Sequence, residues 1–350
     1  MSSPPTTGVA VLSQGRAAVY EEPLGPPGVR IRERPRTKPA PGAVAVAIKA
    51  SSINHLDLWL AHGAQREVTP PRVIAADGAG VVAESGHRSW GPGDEVVIYP
   101  VLCCWECEWC RTGENVRCAR FGVVGEHSDG TACELFHIDA RNIFRKPRAL
   151  SWNEAAAFPL TFLTAWRMLT TRARLKPGEK VLVVGAGAGV AVAAITIARH
   201  LGARVFATSR SEAKRKRALE LGAEAVFDSH EFSKGVRTAT GGGVDVVFEH
   251  VGPATLQESL RSVAIGGRVV TCGSTSGGKA EISMPRLFWG QLDLLGSTMG
   301  NVGEFQAVLN AVDEGLSPVV DSVYPLSDVQ AALQRLDAAE QFGKVVLSVS

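Results

Sequence analysis

The fold of this 350-residue chain is decided by one stretch, Val181-Leu182-Val183-Val184-Gly185-Ala186-Gly187-Ala188-Gly189-Val190. A short apolar run that ends at a glycine is typical of a strand buried on both faces of a parallel sheet. The glycines let the backbone turn tightly and approach a pyrophosphate, which the free amides of the following helix then face. The stretch therefore predicts a dinucleotide-binding loop in which Gly185, Gly187, Gly189 and Val190 contact the cofactor.

Strands and helices alternate after this loop. An apolar helix is predicted over Val190–Leu201, and further strands are predicted over Arg204–Thr208, Val244–Phe248 and Arg268–Cys272. Alternation of this kind predicts an α/β fold with a doubly wound parallel sheet and helices on both of its faces. We assign residues 151–289 to this Rossmann dinucleotide-binding domain.

The rest of the chain has a different pattern. Residues 1–150 contain short apolar runs, such as Val44–Ile48 and Glu95–Tyr99, that are separated by proline and glycine and predict a β-rich domain. The end of the chain is mixed, and its last strand is predicted at Val345–Val349. Because 45% of the residues are hydrophobic and 21% are charged, the chain has enough apolar material for two domain cores.

Composition and charge narrow the class of partner. The formal net charge is only +2, and the basic run Lys214–Arg217 is typical of a solvated helix face, so nucleic acid is not an expected partner. No apolar run reaches the roughly 20 residues of a membrane helix. The opening segment MSSPPTTG lacks the charged start and apolar core of a signal peptide. We expect a cytoplasmic protein that acts on a small molecule, without a membrane partner.

Five of the seven cysteines lie between Cys103 and Cys118. Four of them follow the spacing Cys104-x2-Cys107-x2-Cys110-x7-Cys118, which suits one zinc ion held tetrahedrally by four thiolates. A closed site of this type holds loops in place and leaves no open position for chemistry. The spacing therefore predicts a structural zinc, with Cys103 as a bystander.

The end of the second strand distinguishes NAD from NADP. An acidic residue there would bind the ribose hydroxyls and repel a 2′-phosphate. This chain instead has Ser209 and Arg210 at that point, with Lys214 one turn into the next helix. Hydroxyl and guanidinium groups suit a phosphate. The sequence therefore predicts NADPH as the cofactor, with NADH as the alternative.

With these features the chain resembles the medium-chain dehydrogenase/reductase superfamily, which includes zinc alcohol dehydrogenases and quinone oxidoreductases. Further matching motifs are Ser51–Asp57, Asp77–Val82, Gly91–Val97 and Phe342–Val346. The resemblance implies a GroES-like catalytic domain built from residues 1–150 and 290–350, with a structural zinc lobe at about 100–120 and the active site in the interdomain cleft. It also implies a homodimer, for which Leu292–Leu295 is the candidate contact, with a core strand as the competing explanation for this apolar stretch.

The resemblance also shows a departure from the zinc alcohol dehydrogenases. Their catalytic zinc is held by two cysteines and a histidine, with a glutamate nearby. The corresponding positions here are Asn54, Ala76 and Leu160, with Asp77 at the glutamate position. Alanine and leucine cannot bind a metal, and an open catalytic site needs three protein ligands. We therefore expect no catalytic zinc.

Two pairs of ligand-capable side chains leave an unconventional second zinc site open as the alternative: His55 with Asp57, and Glu126 with His127. The resemblance implies that the Glu126–His127 region lies near the substrate cleft. Histidine titrates in the range that general acids need, so His127 or His55 is the expected proton donor. We count His55, Asp57 and His127 among the catalytic candidates.

Without a catalytic zinc, an acceptor that spreads charge over an enolate or aromatic oxygen is easier to reduce than a simple ketone. We expect NADPH-dependent reduction of an activated C=C bond or a quinone, with Asn54 donating a hydrogen bond to the acceptor oxygen. By resemblance, Thr164 lies near the nicotinamide and Lys344 is a further cofactor contact, while Trp59 and Tyr99 are candidate pocket walls. The alternatives are an alcohol or aldehyde dehydrogenase with an unconventional or absent metal, and an NADPH-binding sensor with weak catalysis.

Overall fold

The computed structural model describes residues 13–64 and 68–349 of the chain, so the segment MSSPPTTG lies outside the described residues. The strands are β1 (Ser13–Tyr20), β2 (Val29–Arg36), β3 (Ala43–Ile53), β4 (Arg72–Val73), β5 (Asp77–Ser85), β6 (Glu95–Ile98), β7 (Val101–Leu102), β8 (Gly122–Val123), β9 (Leu135–Asp139), β10 (Ile143–Arg145), β11 (Lys180–Val183), β12 (Arg204–Thr208), β13 (Ala225–Phe227), β14 (Val244–Glu249), β15 (Val263–Thr271), β16 (Asp293–Gly296), β17 (Val320–Pro325) and β18 (Lys344–Ser348). The α-helices are α1 (His55–Ala61), α2 (Glu108–Arg111), α3 (Trp152–Ala157), α4 (Pro159–Trp166), α5 (Gly189–His200), α6 (Glu212–Glu220), α7 (Phe232–Thr240), α8 (Pro253–Ser262), α9 (Met284–Trp289), α10 (Val302–Asp313) and α11 (Val329–Asp337). Over these ranges, no helix combines the length and the apolar character that crossing a bilayer requires.

Six strands form a parallel sheet in the order β13-β12-β11-β14-β15-β16. Strand β11 comes first in sequence and lies at the centre of the sheet. The chain reverses its direction of winding at this strand, as it does in dinucleotide-binding sheets. The apolar residues of β11 are fully buried, so the predicted Rossmann fold is confirmed. One boundary differs: β16 belongs to this sheet, whereas the sequence predicts the catalytic domain from residue 290 onward. This strand is an exposed edge strand and lacks the pattern of a buried one.

Seven strands form a second sheet, in which β10-β6-β5-β3-β18-β17 are paired in that order and β9 also pairs with β3. The last two strands of the chain join strands from its first half, as the GroES-like fold implies. Strand β3 pairs with β5 on one side and with β18 on the other. This register places the end of β3 beside the starts of β5 and β18. These strand ends therefore bring together Asn54, Asp77 and Lys344.

A buried ion-pair cluster connects the parallel-sheet region to the cysteine-rich segment. Arg167 begins a π-helix that continues α4, and its side chain is only 6% exposed. Its guanidinium donates to both oxygens of Glu304 at 3.0 Å and to Glu114 Oε2 at 2.9 Å. Glu304 also accepts the backbone N–H of Asn301 at 2.7 Å, which completes the capping box of α10. The cluster therefore fixes α4 and α10 against the segment that carries Glu114.

Loss of the Glu304 carboxylate is expected to destabilise the fold more than loss of an exposed acid. In Glu304→Gln the buried charge of Arg167 loses a main partner, and breaking a buried pair costs about 3 kcal/mol. The matched control is Glu340→Gln, because Glu340 pairs with Arg335 but is 62% exposed; a loss below about 0.5 kcal/mol is expected for it. Urea unfolding followed by circular dichroism measures both, and equal losses would contradict the prediction.

Candidate active site

A cavity of about 290 Å³ lies where the second sheet faces the parallel sheet. The region around the second sheet contributes Asn54, His55, Trp59 and Lys344 to its lining. The side of α4 and the parallel sheet contributes Leu160, Thr164, Gly189, Val190, His250 and Thr298. The cavity therefore adjoins the point at which the strand order reverses, where doubly wound sheets bind dinucleotides.

Asn54, Asp77 and Lys344 form a buried hydrogen-bonded network in the wall of this cavity. The side chains of Lys344 and Asp77 are 4% and 0% exposed. Lys344 Nζ donates to Asp77 Oδ2 at 2.9 Å and makes a short hydrogen bond to Asn54 Oδ1. Asn54 Nδ2 donates to the same carboxylate oxygen at 2.9 Å, and the other oxygen accepts the N–H of Leu160 at 2.7 Å. The network holds the Asn54 amide with its oxygen toward the ammonium and its NH2 group toward the carboxylate.

Asp57 holds Asn54 in place and is not part of the cavity lining. Its Oδ2 accepts the N–H of Asn54 at 2.7 Å and its Oδ1 accepts the N–H of Ala75 at 2.8 Å. The first of these bonds belongs to the capping box of α1, whose N-cap is Asn54. Burial raises the pKa of Asp57 to about 6, although the two N–H donors oppose the shift. Since both oxygens are engaged by the backbone, Asp57 is a positioning residue and offers little support for a metal site with His55.

Of the two candidate histidines, only His55 lines the cavity. Burial, with smaller effects of the nearby His250 and Lys344, lowers the pKa of His55 to about 4, so its imidazole is neutral at pH 7. His127 is not part of the lining; its Nδ1 accepts the N–H of Val123 at 3.1 Å and its side chain is 46% exposed. His55 therefore carries no imidazolium proton to donate at pH 7, and His127 lies outside the cavity lining.

The glycine loop has the shape that a phosphate-binding turn needs. Gly185 and Gly187 have φ angles of 75° and 126°, which favour glycine. Helix α5 begins at Gly189, and the side chain of its N-cap residue Ala188 makes no capping hydrogen bond. The first amides of the helix are thus left for a ligand. A Cβ on Gly189 would lie 2.9 Å from Lys344 Cδ, so the loop can approach that side chain only because this residue is glycine.

The end of β12 carries the basic residues predicted to bind a 2′-phosphate. Ser209 is buried at the strand end, Arg210 is exposed, and the side chain of Lys214 lies against the loop at Gly187. Lys214 Nζ donates to the carbonyl of Ala339 at 2.5 Å. Burial, followed in the same direction by the charge of Arg210, lowers the pKa of Lys214, whereas Asp321 raises it. An anionic group would relieve this excess of positive charge, so the residues fit a phosphorylated cofactor.

His250 is a cavity residue that sequence reasoning missed. It directly follows β14 and is only 8% exposed, and its Nε2 has no hydrogen-bond partner within the described part of the chain. Burial lowers the pKa of His250. A buried polar atom without a partner in a cleft suits a polar ligand group such as a ribose hydroxyl. The available signal was its position after a parallel strand, because ligands bind at the carboxyl ends of such strands.

The two aromatic residues expected as pocket walls behave differently. Trp59 lines the cavity, as does Thr164, the residue expected near the nicotinamide. Tyr99 does not; it is fully buried, and its hydroxyl donates to the carbonyl of Gly300 at 2.9 Å. Its ring packs near that of Phe305, with centroids 5.3 Å apart. Tyr99 is therefore a core residue, because its one polar atom is satisfied by the backbone.

The cysteine spacing produces a compact group of sulfurs. Four Sγ atoms lie within 4.8 Å of one another, and they belong to Cys104, Cys107, Cys110 and Cys118. A tetrahedral zinc with Zn–S bonds of about 2.3 Å needs sulfurs about 3.8 Å apart, and the Sγ atoms of Cys104 and Cys110 are separated by 3.8 Å. The backbone N–H of Glu106 lowers the pKa of Cys104, which favours its thiolate form, whereas burial raises the pKa of Cys110. This donor set fits a zinc ion, and Cys103 is not a member of it.

The position at which the resemblance places a catalytic zinc does not fit that metal. Its ligand-capable side chains, Asn54 and Asp77, both accept hydrogen bonds from the Lys344 ammonium. Ala76 and Leu160 supply no donor side chain, whereas a catalytic zinc needs three protein ligands. An ammonium at hydrogen-bonding distance from the remaining ligands also repels a second cation.

Comparison with known proteins decides the family. The chain matches the descriptions "Alcohol dehydrogenase GroES-like domain" over residues 40–148 and "Zinc-binding dehydrogenase" over residues 189–314. A crystal structure of an NAD-dependent alcohol dehydrogenase is similar with a TM-score of 0.91 and 41% sequence identity, over 96% of this chain and 100% of that chain. The chain belongs to the medium-chain dehydrogenase/reductase superfamily. It is an oxidoreductase of that superfamily.

Other medium-chain dehydrogenase/reductase proteins similar to this one are named for enoyl thioesters. The crotonyl-CoA reductase of Streptomyces avermitilis is 30% identical over 364 residues, which cover 91% of this chain and 81% of the relative. A solved 2-octenoyl-CoA carboxylase reductase, in complex with NADP and 2-octenoyl-CoA, has a TM-score of 0.90 and 27% identity, over 97% of this chain and 88% of that chain.

Two buried groups of this medium-chain dehydrogenase/reductase give opposite pH dependences of stability. The pKa of Asp57 is raised from 3.8 to about 6. The fold therefore loses stability as pH rises through that interval and the carboxyl group ionises. The pKa of His55 is lowered from 6.5 to about 4, so the fold loses stability as pH falls through that interval and the imidazole is protonated.

Single substitutions are therefore expected to reveal each slope. Relative to the unsubstituted protein, Asp57→Asn should become more stable as pH rises from about 4 to 6, and His55→Gln should become more stable as pH falls from about 6.5 to 4. Melting temperatures measured across this range provide the comparison. Three parallel curves would show that neither group titrates with the shift stated here.

Proposed function

We propose that this oxidoreductase uses NADPH to reduce the activated C=C bond of an enoyl thioester. The observation that carries the proposal is the pair of N–H donors, from Asn54 and Lys344, held by Asp77 in the cavity wall. Hydride addition to an enoyl thioester places negative charge on the thioester oxygen, and preorganised N–H donors can stabilise that charge without a metal. The crotonyl-CoA and 2-octenoyl-CoA reductases among the relatives support this acceptor class.

The proposed cofactor is NADPH, whose nicotinamide would supply the hydride. Gly185 and Gly187 would let the pyrophosphate approach the N-terminus of α5. Arg210 and Lys214 would face the 2′-phosphate, and the unpartnered nitrogen of His250 would meet a polar group of the cofactor. The NADP bound by the 2-octenoyl-CoA carboxylase reductase supports this choice.

Oxidation of an alcohol or reduction of an aldehyde is the second candidate function. The 41% identical structure named as an NAD-dependent alcohol dehydrogenase favours it. In that reaction an alkoxide oxygen would meet the same N–H donors that are proposed here for the enolate. The site formed by Asn54 and Asp77 does not fit a catalytic zinc, and this weighs against the second candidate function. The charge of an alkoxide is localised on one oxygen, and a metal is its usual stabiliser.

The purified protein is expected to oxidise NADPH in the presence of crotonyl-CoA. We expect kcat/KM for crotonyl-CoA to exceed the values for benzaldehyde and benzoquinone at least about 10-fold, which is about 1.4 kcal/mol in transition-state free energy. NADPH should be preferred over NADH by a similar factor. Absorbance at the nicotinamide band measures both ratios, and turnover of the aldehyde alone would favour the second candidate function.

A pair of variants controls the cofactor preference. Arg210→Ser should raise KM for NADPH while leaving KM for NADH unchanged, because only NADPH carries the 2′-phosphate that the guanidinium would bind. Arg88→Ser removes another exposed arginine, from the loop after β5, and should change neither value. A preference that survives Arg210→Ser would remove this residue from the cofactor site.

We further propose that the cysteine set holds one structural zinc. Purified protein should contain about one zinc per chain, and Cys110→Ser should lose it, because a structural site needs four ligands. Cys103→Ser is the matched control, since Cys103 is adjacent to Cys104 but outside the sulfur group, and it should retain the metal. Metal analysis after gel filtration measures the content. Two zinc ions per chain in the unsubstituted protein would contradict the proposed metal-free reduction site.

Dimerisation through the outer edge of the parallel sheet is also proposed. Strand β16 is one of the two edge strands, and large apolar side chains are exposed around it, including Ile265 at 78% and Trp289 at 77%. Exposed apolar side chains grouped in this way mark interaction surfaces. Light scattering should give a dimer that Trp289→Lys converts to a monomer, whereas Leu219→Lys, at a separate exposed leucine, should leave it intact. A monomer before substitution would refute the proposal.

A further inference from the structure

We infer that the ammonium of Lys344 is a catalytic group that stabilises the oxyanion formed on the acceptor during hydride transfer. The inference rests on the proposed reduction but not on the choice of acceptor, because an enolate, a phenolate and an alkoxide all carry their charge on oxygen. It assigns to this side chain a role toward the substrate, whereas the sequence predicts a contact with the cofactor.

The hydrogen bonds of Lys344 leave one donor for a ligand. An ammonium carries three N–H bonds. One is directed to Asp77 Oδ2 at 2.9 Å and another to Asn54 Oδ1. The side chain is 4% exposed and belongs to the cavity lining, and within the described residues Nζ has no third acceptor. The third N–H bond therefore has the cavity as its available direction.

Asn54 presents a second donor beside the first. Its Nδ2 carries two N–H bonds, of which one donates to Asp77 Oδ2 at 2.9 Å. Because its Oδ1 accepts from Lys344, the amide cannot rotate without breaking two hydrogen bonds. Asp57 fixes the backbone of the same residue through the N–H bond at 2.7 Å. An oxygen in the cavity can thus meet N–H groups from two side chains whose positions are set before it binds.

The charge of the network suits an oxyanion that appears only in the transition state. The ammonium of Lys344 and the carboxylate of Asp77 balance each other in the resting site, so no anion is required to hold the lysine there. As negative charge develops on the acceptor oxygen, the buried ammonium attracts it with little screening by water. The site therefore stabilises the transition state more than the uncharged acceptor, which is the condition for an increase in kcat.

For an enoyl thioester, the atoms and electrons of the reduction balance when water supplies the proton. The C4–H bond of NADPH would break to give NADP+, its hydride would form a new C–H bond at the β-carbon, and the π electron pair of the C=C bond would move to give the enolate, whose oxygen would meet Lys344 and Asn54. When the enolate collapses, the electron pair returns to the α-carbon, which takes a proton from water. The product is the saturated thioester, and hydroxide left by the water is neutralised by the buffer.

The stem of Lys344 borders the cofactor loop, so a role in cofactor binding is the competing explanation. A Cβ on Gly189 would lie 2.9 Å from Lys344 Cδ, which places the aliphatic chain against the loop. The ammonium, however, lies beyond this contact, among Asn54 and Asp77. The two roles differ in what they predict, because a cofactor contact sets the affinity for NADPH and an oxyanion contact sets kcat.

The test compares a double variant, in which both buried charges are removed, with a single variant that keeps only the ammonium. Lys344→Met alone would leave the Asp77 carboxylate unpaired, so the main variant is Lys344→Met combined with Asp77→Asn, and Asp77→Asn alone is its control. Lys344→Arg is the conservative variant that retains the charge and the donors. A melting curve establishes that each is folded. The dissociation constant for NADPH is measured by fluorescence, and kcat is measured at saturating NADPH.

We expect kcat of the double variant to be about 100-fold below that of Asp77→Asn, the usual effect of removing one oxyanion donor. Its dissociation constant for NADPH should stay within about 3-fold, and Lys344→Arg should recover part of the lost kcat. Weaker NADPH binding with kcat within about 3-fold of the control would overturn the inference and make Lys344 a cofactor contact.

The acceptor used in the test separates this inference from the proposed function. If the protein reduces an aldehyde but does not reduce crotonyl-CoA, the proposed function fails. The same variants, compared with the aldehyde as acceptor, still decide the role of Lys344. An aldehyde reduction that loses about 100-fold in the double variant would keep the inference, since an alkoxide needs the same donor. An unchanged kcat with either acceptor would overturn it.

Discussion

The ammonium of Lys344 can remain in a nearly dry site only while the Asp77 carboxylate and the Asn54 amide surround it, because an isolated buried charge is strongly destabilising. These groups lie at the end of β3 and at the starts of β5 and β18, which come from opposite ends of the chain. The site therefore depends on the pairing of the C-terminal strand β18 with β3. A shift of that pairing by one residue would turn the lysine to the other face of the sheet.

The parallel sheet supplies the other half of the cavity. Its glycine loop offers free amides at the start of α5, and His250 presents an unpartnered nitrogen from the end of β14, among the residues the structure describes. The cluster of Arg167, Glu304 and Glu114 joins this half to the cysteine-rich segment. The cysteine group thus has a structural connection to the cleft, although its sulfurs are not part of the cavity lining.

Features set by local sequence were predicted well. The parallel strands and α5 follow from apolar runs and glycine punctuation, and the sulfur group follows from short spacing that brings the cysteines together whatever the rest of the chain does. The predicted end of the Rossmann domain at residue 289 leaves out β16, which pairs with β15 in the parallel sheet and is too exposed to show the pattern of a buried strand. Tyr99 was expected in the cavity because its residue type, and not its surroundings, was all that the sequence offered.

The active-site network could be predicted only in part. Asn54 was found through its position in the family pattern, and Asp77 was recognised there as the residue at the glutamate position. Their contact with Lys344 could not be found, because it arises from residues 267 and 290 positions apart in sequence and from the register of three strands. The burial that keeps His55 neutral, and the exposure of His127, likewise depend on tertiary packing that periodicity does not report.

We propose that the network of Asn54, Asp77 and Lys344 serves hydride addition to a conjugated C=C bond. The most direct test of this proposal is the fate of deuterium from NADPH labelled at C4 of the nicotinamide, supplied with crotonyl-CoA and followed in the product by NMR. We expect a saturated thioester with deuterium at the β-carbon and a solvent-derived proton at the α-carbon. Deuterium at C1 of an aldehyde or alcohol product, with the C=C bond intact, would contradict it.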